Sequence, residues 1–339
     1  MNTSVNTAAA EGRHLTARRI FSLVASELAL VEEEFERQAR SNIQVIAYIG
    51  DYLRASGGKR VRPALTLLST NAVGGNASLP NVIRMATVME FLHTATLVHD
   101  DIIDNAETRR NRPSINSRFG NQAAVLMGDW LYMSAFETSL QERSLTVLDI
   151  LTAVTRKMTE GELLQLTLLG RADVTEEQYF DVLRRKTAYL FSACCEIGAI
   201  LGGAEPEERR ALRDYGMNLG TAFQLIDDLL DFTSDEDALG KPAGVDLLEG
   251  KVTLPFIYLL EEESRMKPAV QAVMREGVYG EFRRDAFLRS AEKTGALERA
   301  RACAASYAEA AVTALEGIKP SKFSDGLRSI PAYILEREM

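Results

Sequence analysis

The chain has 339 residues, of which 46% are hydrophobic and 7% aromatic, and it contains only 9 prolines. This length allows one large domain or two, and the composition favours a helical globular protein over one rich in strands. The formal net charge of −9 argues against a nucleic-acid partner, because such a partner usually requires a basic face that displaces counterions.

The cysteines and the first residues of the chain indicate the cellular compartment of the protein. Cys194, Cys195 and Cys303 have no spacing typical of a metal site, so we expect reduced structural thiols in a reducing compartment. No segment approaches the roughly 20 uncharged apolar residues that span a bilayer. Residues 1–15 lack the basic and apolar regions of a secretory signal, so we expect a disordered leader and a cytoplasmic protein.

From about Leu15 the hydrophobic periodicity predicts successive amphipathic helices separated by short turns with Gly, Pro or Asn. The expected helices cover residues 16–55, 62–74, 80–105, 121–141, 146–169, 175–203, 206–234 and 251–262, followed by three or four shorter ones. No linker, low-complexity tract or repeat divides the chain. Residues 16–339 are therefore expected to form a single all-α domain.

Two of the predicted helices carry the same acidic pattern. The stretch HDDIID (99–104) contains Asp100, Asp101 and Asp104, and IDDLLD (226–231) contains Asp227, Asp228 and Asp231. Residues three and four apart share one face of a helix, so the carboxylates of each pattern are neighbours. A solvated acidic face is the ordinary explanation for one such cluster.

The apolar flanks of both patterns argue against that explanation. They predict burial, where two like charges 4 Å apart repel by about 4 kcal/mol at an effective dielectric constant of 20. Carboxylate oxygens suit Mg²⁺, which takes one or two carboxylates and completes its shell with water and phosphate oxygens. The paired patterns therefore predict a site for a metal-bound polyphosphate.

Basic loops accompany the acidic helices. SGGKRVRP (56–63) precedes the first, ETRRNRP (107–113) follows it, and GKPAGVDLLEGKVTLP (240–255) follows the second. Their cations are Lys59, Arg60, Arg62, Arg109, Arg110, Arg112, Lys241 and Lys251. Any one of these could be an ordinary surface loop. The repeated order of acidic helix and basic loop indicates a diphosphate site, since Arg forks and helix N-termini bind phosphate.

These stretches, together with EFLHTATLVHDDIID, GDWLY, RRKTAYLF and FQLIDDLLD, occur in the order typical of one family. The chain resembles trans-isoprenyl diphosphate synthases of the head-to-tail type, from about residue 20 to Arg337, and most resembles the long-chain polyprenyl type. The resemblance implies an all-α helical bundle around a deep central cavity, usually homodimeric. It also implies condensation of isopentenyl diphosphate onto an allylic diphosphate with about three Mg²⁺ ions per site.

The resemblance further implies a role for each matching residue. The metal ligands would be Asp100, Asp104 and Asp227, supported by Asp101, Asp228 and Asp231. The allylic diphosphate would be held by Arg109, Lys186, Thr187, Gln224 and Lys241, and isopentenyl diphosphate by Lys59, Arg62, His93 and Arg110. The six aspartates with Arg109, Lys186 and Lys241 would form the catalytic set. His93, two helical turns before Asp100 on the same face, is expected to be a ligand, whereas His99 is expected to be structural.

Product length is expected to depend on residues that precede Asp100. Ala95 lies about 7.5 Å along the helix from Asp100. Short-chain members commonly have an aromatic residue there, so Ala95, followed by Leu92 and Met89, implies a long product of C30 to C50 that serves as a quinone side-chain precursor. The alternative is that Ala95 only packs against a neighbouring helix.

Other functions remain open at this stage. They are a short-chain synthase making C15 or C20 diphosphates, a terpene cyclase, a non-catalytic subunit of a heteromeric synthase and a helical scaffold with solvated acidic faces. Two intact aspartate motifs argue against the subunit. The chain departs from the usual family pattern at Asn111 and Leu248, and neither departure removes a proposed ligand.

Overall fold

The computed structural model describes residues 15–40, 42–48, 60–109, 112–233 and 244–336. The helices are α1 Ala17–Ser22, α2 Ala25–Gln38, α3 Val61–Ala72, α4 Pro80–Ile103, α5 Ile115–Phe119, α6 Asn121–Ser139, α7 Leu145–Leu168, α8 Glu176–Leu183, α9 Tyr189–Leu201, α10 Pro206–Thr233, α11 Val245–Leu248, α12 Leu254–Glu262, α13 Lys267–Glu276, α14 Arg284–Thr294, α15 Ala296–Ala314 and α16 Lys322–Leu335. A π-helical turn, Arg184–Ala188, joins α8 to α9, and 3-10 turns lie at Leu140–Glu142 and Ser264–Met266.

The predicted all-α class is confirmed. Within the described ranges the strands are β1 Thr108–Arg109 and β2 Arg112–Pro113, which pair as a short antiparallel hairpin after the first acidic helix. Most predicted helices end within a few residues of the observed ones. The helix expected over 175–203 is continuous in direction but contains the π-helical turn, which no periodicity argument could locate.

The single helix expected over 16–55 is wrong. The chain turns at Leu23 and Val24, and α2 ends at Gln38 before residues 44–48 become helical again. The turn places Ile20 and Val24 in the core, with exposed fractions of 1% and 0%. Burial of such a side chain is worth about 1.5–3 kcal/mol, more than the helical hydrogen bonds lost at a turn.

The two acidic helices are held in place by the core. Helix α4 packs against α3 and α6, and α10 packs against α9 and α15. Helix α9 packs against both α3 and α10, and glycines allow both approaches. A Cβ at Gly198 would collide with the carbonyl oxygen of Thr66, and one at Gly216 would lie 2.6 Å from that of Phe191. This close packing fixes the spacing between α3, α9 and α10.

One hydrophobic core extends from Ile20 in α1 to Ile334 in α16. No helix in the described part of the chain is both long and apolar enough to cross a bilayer. The expected leader falls almost entirely on residues 1–14, which lie outside the described residues. The boundaries of the predicted single domain therefore stay predictions.

Candidate active site

A cavity of about 660 Å³ opens between the two acidic helices. Its walls are formed by the start of α3, by α4, α7, α8, the π-helical turn, α10 and residues 246–253, and α1 and α16 close one side. The predicted site residues that line it are Arg62, His93, Asp100, Lys186, Thr187, Gln224, Asp227 and Asp228. The fold thus brings together residues from four separate sequence motifs at one cavity.

The three aspartates of the first motif have three different environments. Asp100 lines the cavity, and burial raises its pKa to about 7, with Glu162 and Asp104 adding to the effect. Asp101 is only 3% exposed, and its Oδ1 accepts a hydrogen bond of 2.7 Å from Nε of Arg109. Asp104 follows the last residue of α4, and its Oδ1 lies 3.4 Å from Nζ of Lys251. Of these three aspartates, only Asp100 has its side chain in the cavity wall. Carboxylates that are neighbours on one helix therefore do not have equal roles.

The second motif supports a hydrogen-bonded chain in the cavity wall. Oδ2 of Asp228 accepts from the hydroxyl of Tyr179 at 2.5 Å, and Oδ1 accepts from the amide of Gln224 at 2.8 Å. Gln224 in turn accepts from the hydroxyl of Thr187 at 2.8 Å. Burial raises the pKa of Asp228 to about 6, although both hydrogen bonds lower it. Asp228 is thus held from two sides, next to Asp227.

Asp231 anchors the segment that follows α10. Its two carboxylate oxygens accept from the backbone N–H groups of Val245 and Asp246, each at 3.1 Å. Gly244 makes this approach with a φ of 71°, a left-handed conformation that favours glycine. Asp231 therefore positions the loop that carries Asp246 and Lys251 into the cavity wall.

Asp246 and Lys251 also line the cavity. Lys251 was predicted as a cation of the third basic loop, whereas Asp246 had no predicted role. Burial, with Asp228 and Asp231 nearby, raises the pKa of Asp246 well above its usual range. Nζ of Lys251 lies 2.6 Å from Glu249 and 3.4 Å from Oδ1 of Asp104. The contact between Lys251 and Asp104 joins the first acidic motif to the loop that Asp231 anchors.

The basic start of α3 is fixed by two carboxylates, of which that of Glu90 is buried. Arg60, at the N-cap of α3 with a φ of 48°, makes ion pairs with Glu32 and, at 2.9 Å, with Glu90. Glu90 is 6% exposed, and burial raises its pKa although Arg60 and Arg62 oppose the shift. The guanidinium of Arg62 lies 5.1 Å from the ring centre of Phe191. Sequence reasoning missed Glu90, whose only signal is an acidic residue inside the apolar run VMEFLH.

Three predicted substrate ligands, Lys59, Arg110 and Lys241, lie outside the described residues. Arg109 is not part of the cavity wall, and its Nε donates a hydrogen bond to Oδ1 of Asp101. Their assigned roles stay predictions.

The predicted chain-length residues are buried away from the cavity. Ala95, Leu92 and Met89 are each 0% exposed, and none of them lines the cavity. At 3.6 residues per turn, position 95 is rotated by about 140° from Asp100 around the helix axis. The structure thus places Ala95 in the packed core, the arrangement of the alternative explanation, and its influence on product length stays a prediction.

His99 and the buried cysteines have the environments expected for structural residues. The His99 ring occupies the space next to Gly128, where a Cβ would collide with it, and Nε2 lies 3.1 Å from the carbonyl oxygen of Val125. Cys194 and Cys195 are buried in α9, and burial raises the pKa of both thiols. Among the described residues these two cysteines and Cys303 are free thiols.

The donor set fits a metal that is held jointly with a substrate. In the described ranges, no three His, Cys, Asp or Glu side chains form a group that could hold a metal ion. Mg²⁺ characteristically uses one or two carboxylates and takes phosphate oxygens and water for the rest. The raised pKa of Asp100 also indicates a position where a cation would stabilise the ionised carboxylate.

Comparison with known proteins identifies the family. The Polyprenyl synthetase family model matches residues 43–280. Octaprenyl diphosphate synthase of Escherichia coli (strain K12) is 37% identical over 326 residues, which cover 96% of this chain and 100% of that enzyme. A short chain isoprenyl diphosphate synthase of Methanothermobacter thermautotrophicus is also 37% identical, over 319 residues that cover 92% of this chain and 96% of that protein.

A solved structure agrees over nearly the whole chain. The polyprenyl synthase from Caulobacter crescentus CB15, crystallised with calcium and isoprenyl diphosphate, superposes with a TM-score of 0.87 at 33% sequence identity. The match covers 96% of this chain and 98% of that one. The chain therefore belongs to the polyprenyl synthetase family and is a prenyltransferase.

Proposed function

We propose that this protein is a Mg²⁺-dependent long-chain trans-prenyltransferase. It condenses isopentenyl diphosphate head-to-tail onto an allylic diphosphate, such as farnesyl diphosphate, to make an all-trans polyprenyl diphosphate of C30 to C50. The observation that supports this proposal best is the cavity that Asp100, Lys186 and Asp227 share with the apolar side chains of Leu97 and Leu168. Charged groups suited to a diphosphate thus meet a wall suited to a hydrocarbon tail.

The two substrates would bind on opposite sides of the cavity. Asp100, Asp104 and Asp227 would hold about three Mg²⁺ ions together with the allylic diphosphate, and these ions would stabilise the charge of the departing diphosphate. Lys186 binds the same diphosphate, and Thr187 and Gln224 complete that side of the site.

Isopentenyl diphosphate would be held across the cavity by Arg62 and His93, with Lys59 and Arg110. As the allylic carbon loses its diphosphate, the double bond of isopentenyl diphosphate attacks that carbon. The proton then lost from the new C5 unit goes to the departing diphosphate. No protein nucleophile is required, and the preorganised charges of the site supply the stabilisation of the transition state.

Product length depends on the side chains that the growing hydrocarbon tail meets. The absence of an aromatic side chain at Ala95, Leu92 and Met89 favours a long product, which would serve as a quinone side-chain precursor. The closed packing of these three residues favours the alternative of a short-chain synthase making C15 or C20 diphosphates.

A second copy of this chain is the expected partner. The outer faces of α6 and α7 expose Leu126 by 68%, Met133 by 61%, Leu163 by 59% and Leu166 by 45%. Apolar faces of this kind are usually covered in an assembly, and a twofold homodimer is the commonest form. Light scattering on the purified protein and on Leu126→Glu/Met133→Glu tests this expectation, and a wild-type monomer would refute it.

The central experiment is the incubation of purified protein with Mg²⁺, farnesyl diphosphate and isopentenyl diphosphate, followed by mass analysis of the products. A ladder ending between C30 and C50 supports a long-chain synthase, and termination at C20 supports the short-chain alternative. Absence of elongation from any allylic primer would instead favour a non-catalytic subunit of a heteromeric synthase. A cytoplasmic location stays a prediction.

A further inference from the structure

Lys186 is held at the cavity wall by two side chains of α7 that have no role in the mechanism above. Its Nζ lies 2.9 Å from Oε2 of Glu162, and it donates a hydrogen bond of 2.9 Å to Oε1 of Gln165. Glu162 and Gln165 are three residues apart and therefore share one face of α7. All three side chains line the cavity.

The backbone around Lys186 is shaped to allow these contacts. Lys186 lies in the π-helical turn Arg184–Ala188, and such turns are frequent at functional sites. A Cβ at Gly161 would lie 2.7 Å from Cβ of Arg185 and 3.1 Å from Cγ of Lys186. Glycine at this position therefore lets α7 approach the turn closely enough for Glu162 to reach the ammonium group.

We propose that Glu162 and Gln165 are positioning residues, which fix the ammonium group of Lys186 for the diphosphate of the allylic substrate. This inference rests on the proposed function. A lysine side chain has a flexible four-carbon stem, so its ammonium group must be ordered before it can bind a phosphate in one place. An ammonium group has three N–H donors, and two contacts from α7 leave a donor for a phosphate oxygen.

Steady-state kinetics with each substrate varied separately tests this inference. We expect Glu162→Gln and Gln165→Leu to raise KM for the allylic diphosphate about tenfold, while KM for isopentenyl diphosphate changes less than about twofold. Glu162→Asp should recover part of the loss. The matched control is Glu160→Gln on the same helix, whose carboxylate pairs with Arg185 rather than with Lys186, and it should behave like the wild type.

Gln165→Leu separates positioning from charge. Glu162 also lies close enough to Asp100 to raise the pKa of that carboxyl group, so Glu162→Gln changes the electrostatics of the metal site as well. Gln165→Leu changes no charge. A defect in Glu162→Gln without any defect in Gln165→Leu would overturn the paired role of the two residues.

A double-mutant comparison asks whether Gln165 acts through Lys186. In a Lys186→Met background, Gln165→Leu should add less than a further twofold loss, because the ammonium group it positions is gone. An equal loss in both backgrounds, an equal rise of both KM values, or the same defect in Glu160→Gln would overturn the inference.

Calorimetric binding of farnesyl thiolodiphosphate with Mg²⁺ makes the inference independent of turnover. The wild type and Glu160→Gln should bind this unreactive analogue about tenfold more tightly than Glu162→Gln. A wild type that binds the analogue but does not condense farnesyl diphosphate with isopentenyl diphosphate would refute the proposed function, and the comparison of variants would still decide the role of Glu162. Equal affinities of all variants would overturn the inference alone.

Discussion

Replacement of Tyr179 by Phe removes the hydroxyl group that donates to Asp228 at 2.5 Å. Both residues are 7% exposed, so water cannot readily replace the lost donor. A hydrogen bond to a charged group contributes about 1.5–3 kcal/mol, and we expect the free energy of unfolding to fall by about 2 kcal/mol. With an unfolding entropy of about 2.1 cal/mol/K per residue, a chain of 339 residues should lose about 3 °C in Tm.

The same substitution should alter the pH dependence of catalysis. The hydrogen bond from Tyr179 lowers the pKa of Asp228, which burial nevertheless raises to about 6. Without the hydroxyl group this pKa rises further, so a larger fraction of Asp228 is protonated near neutral pH. We expect kcat/KM to fall and its acidic limb to move to higher pH.

Thermal unfolding and a pH profile of kcat/KM provide the measurements. The matched control is Tyr307→Phe, because Tyr307 also has a hydroxyl group in a hydrogen bond, with Arg184 at 3.2 Å, but in an exposed position. It should change the free energy of unfolding by less than about 0.5 kcal/mol and leave the pH profile unchanged. If Tyr179→Phe matched this control in both measurements, the reasoning about the buried network would be refuted.

Three further predictions concern the metal site, the core and the pH dependence of stability. Asp100→Ala should lower turnover by at least about 100-fold with an unchanged circular dichroism spectrum, since it removes a proposed metal ligand, and near-normal activity of the folded variant would contradict that role. Ala95→Phe or Ala95→Tyr should shorten the main product seen by mass spectrometry. Each substitution should also lower the free energy of unfolding by about 1–3 kcal/mol, because Ala95 is closely packed. An unchanged product length would show that Ala95 does not determine chain length. Burial raises the pKa of Asp100 to about 7 and that of Asp228 to about 6. The folded metal-free protein therefore binds more protons than the unfolded chain at mildly acidic pH. Its Tm should fall as the pH rises toward about 7. Mg²⁺ with diphosphate should raise Tm most at the upper end of the range, and a metal-free Tm that is constant between about pH 5.5 and 8 would contradict the assignment.

Much of the site could be predicted because its motifs are local. The acidic patterns at 99–104 and 226–231 each lie within about two helical turns, so periodicity alone placed their carboxylates on helices. Of the second pattern, Asp227 and Asp228 line the cavity together with Thr187 and Gln224, which the resemblance to the family assigned to the same site. Glu162, Glu90 and Asp246 were missed, because each is a single acidic residue without a local pattern.

Hydrophobic periodicity and residue spacing are properties of short stretches of chain, so the helical class and the two acidic helices could be predicted without the fold. Tertiary structure decided which of these similar aspartates does what. Asp100 enters the cavity, Asp101 pairs with Arg109, and Asp231 anchors a loop, since each outcome depends on how one helix is rotated against its neighbours. The contact between Lys186 and Glu162 likewise exists only because a glycine allows two distant segments to pack closely.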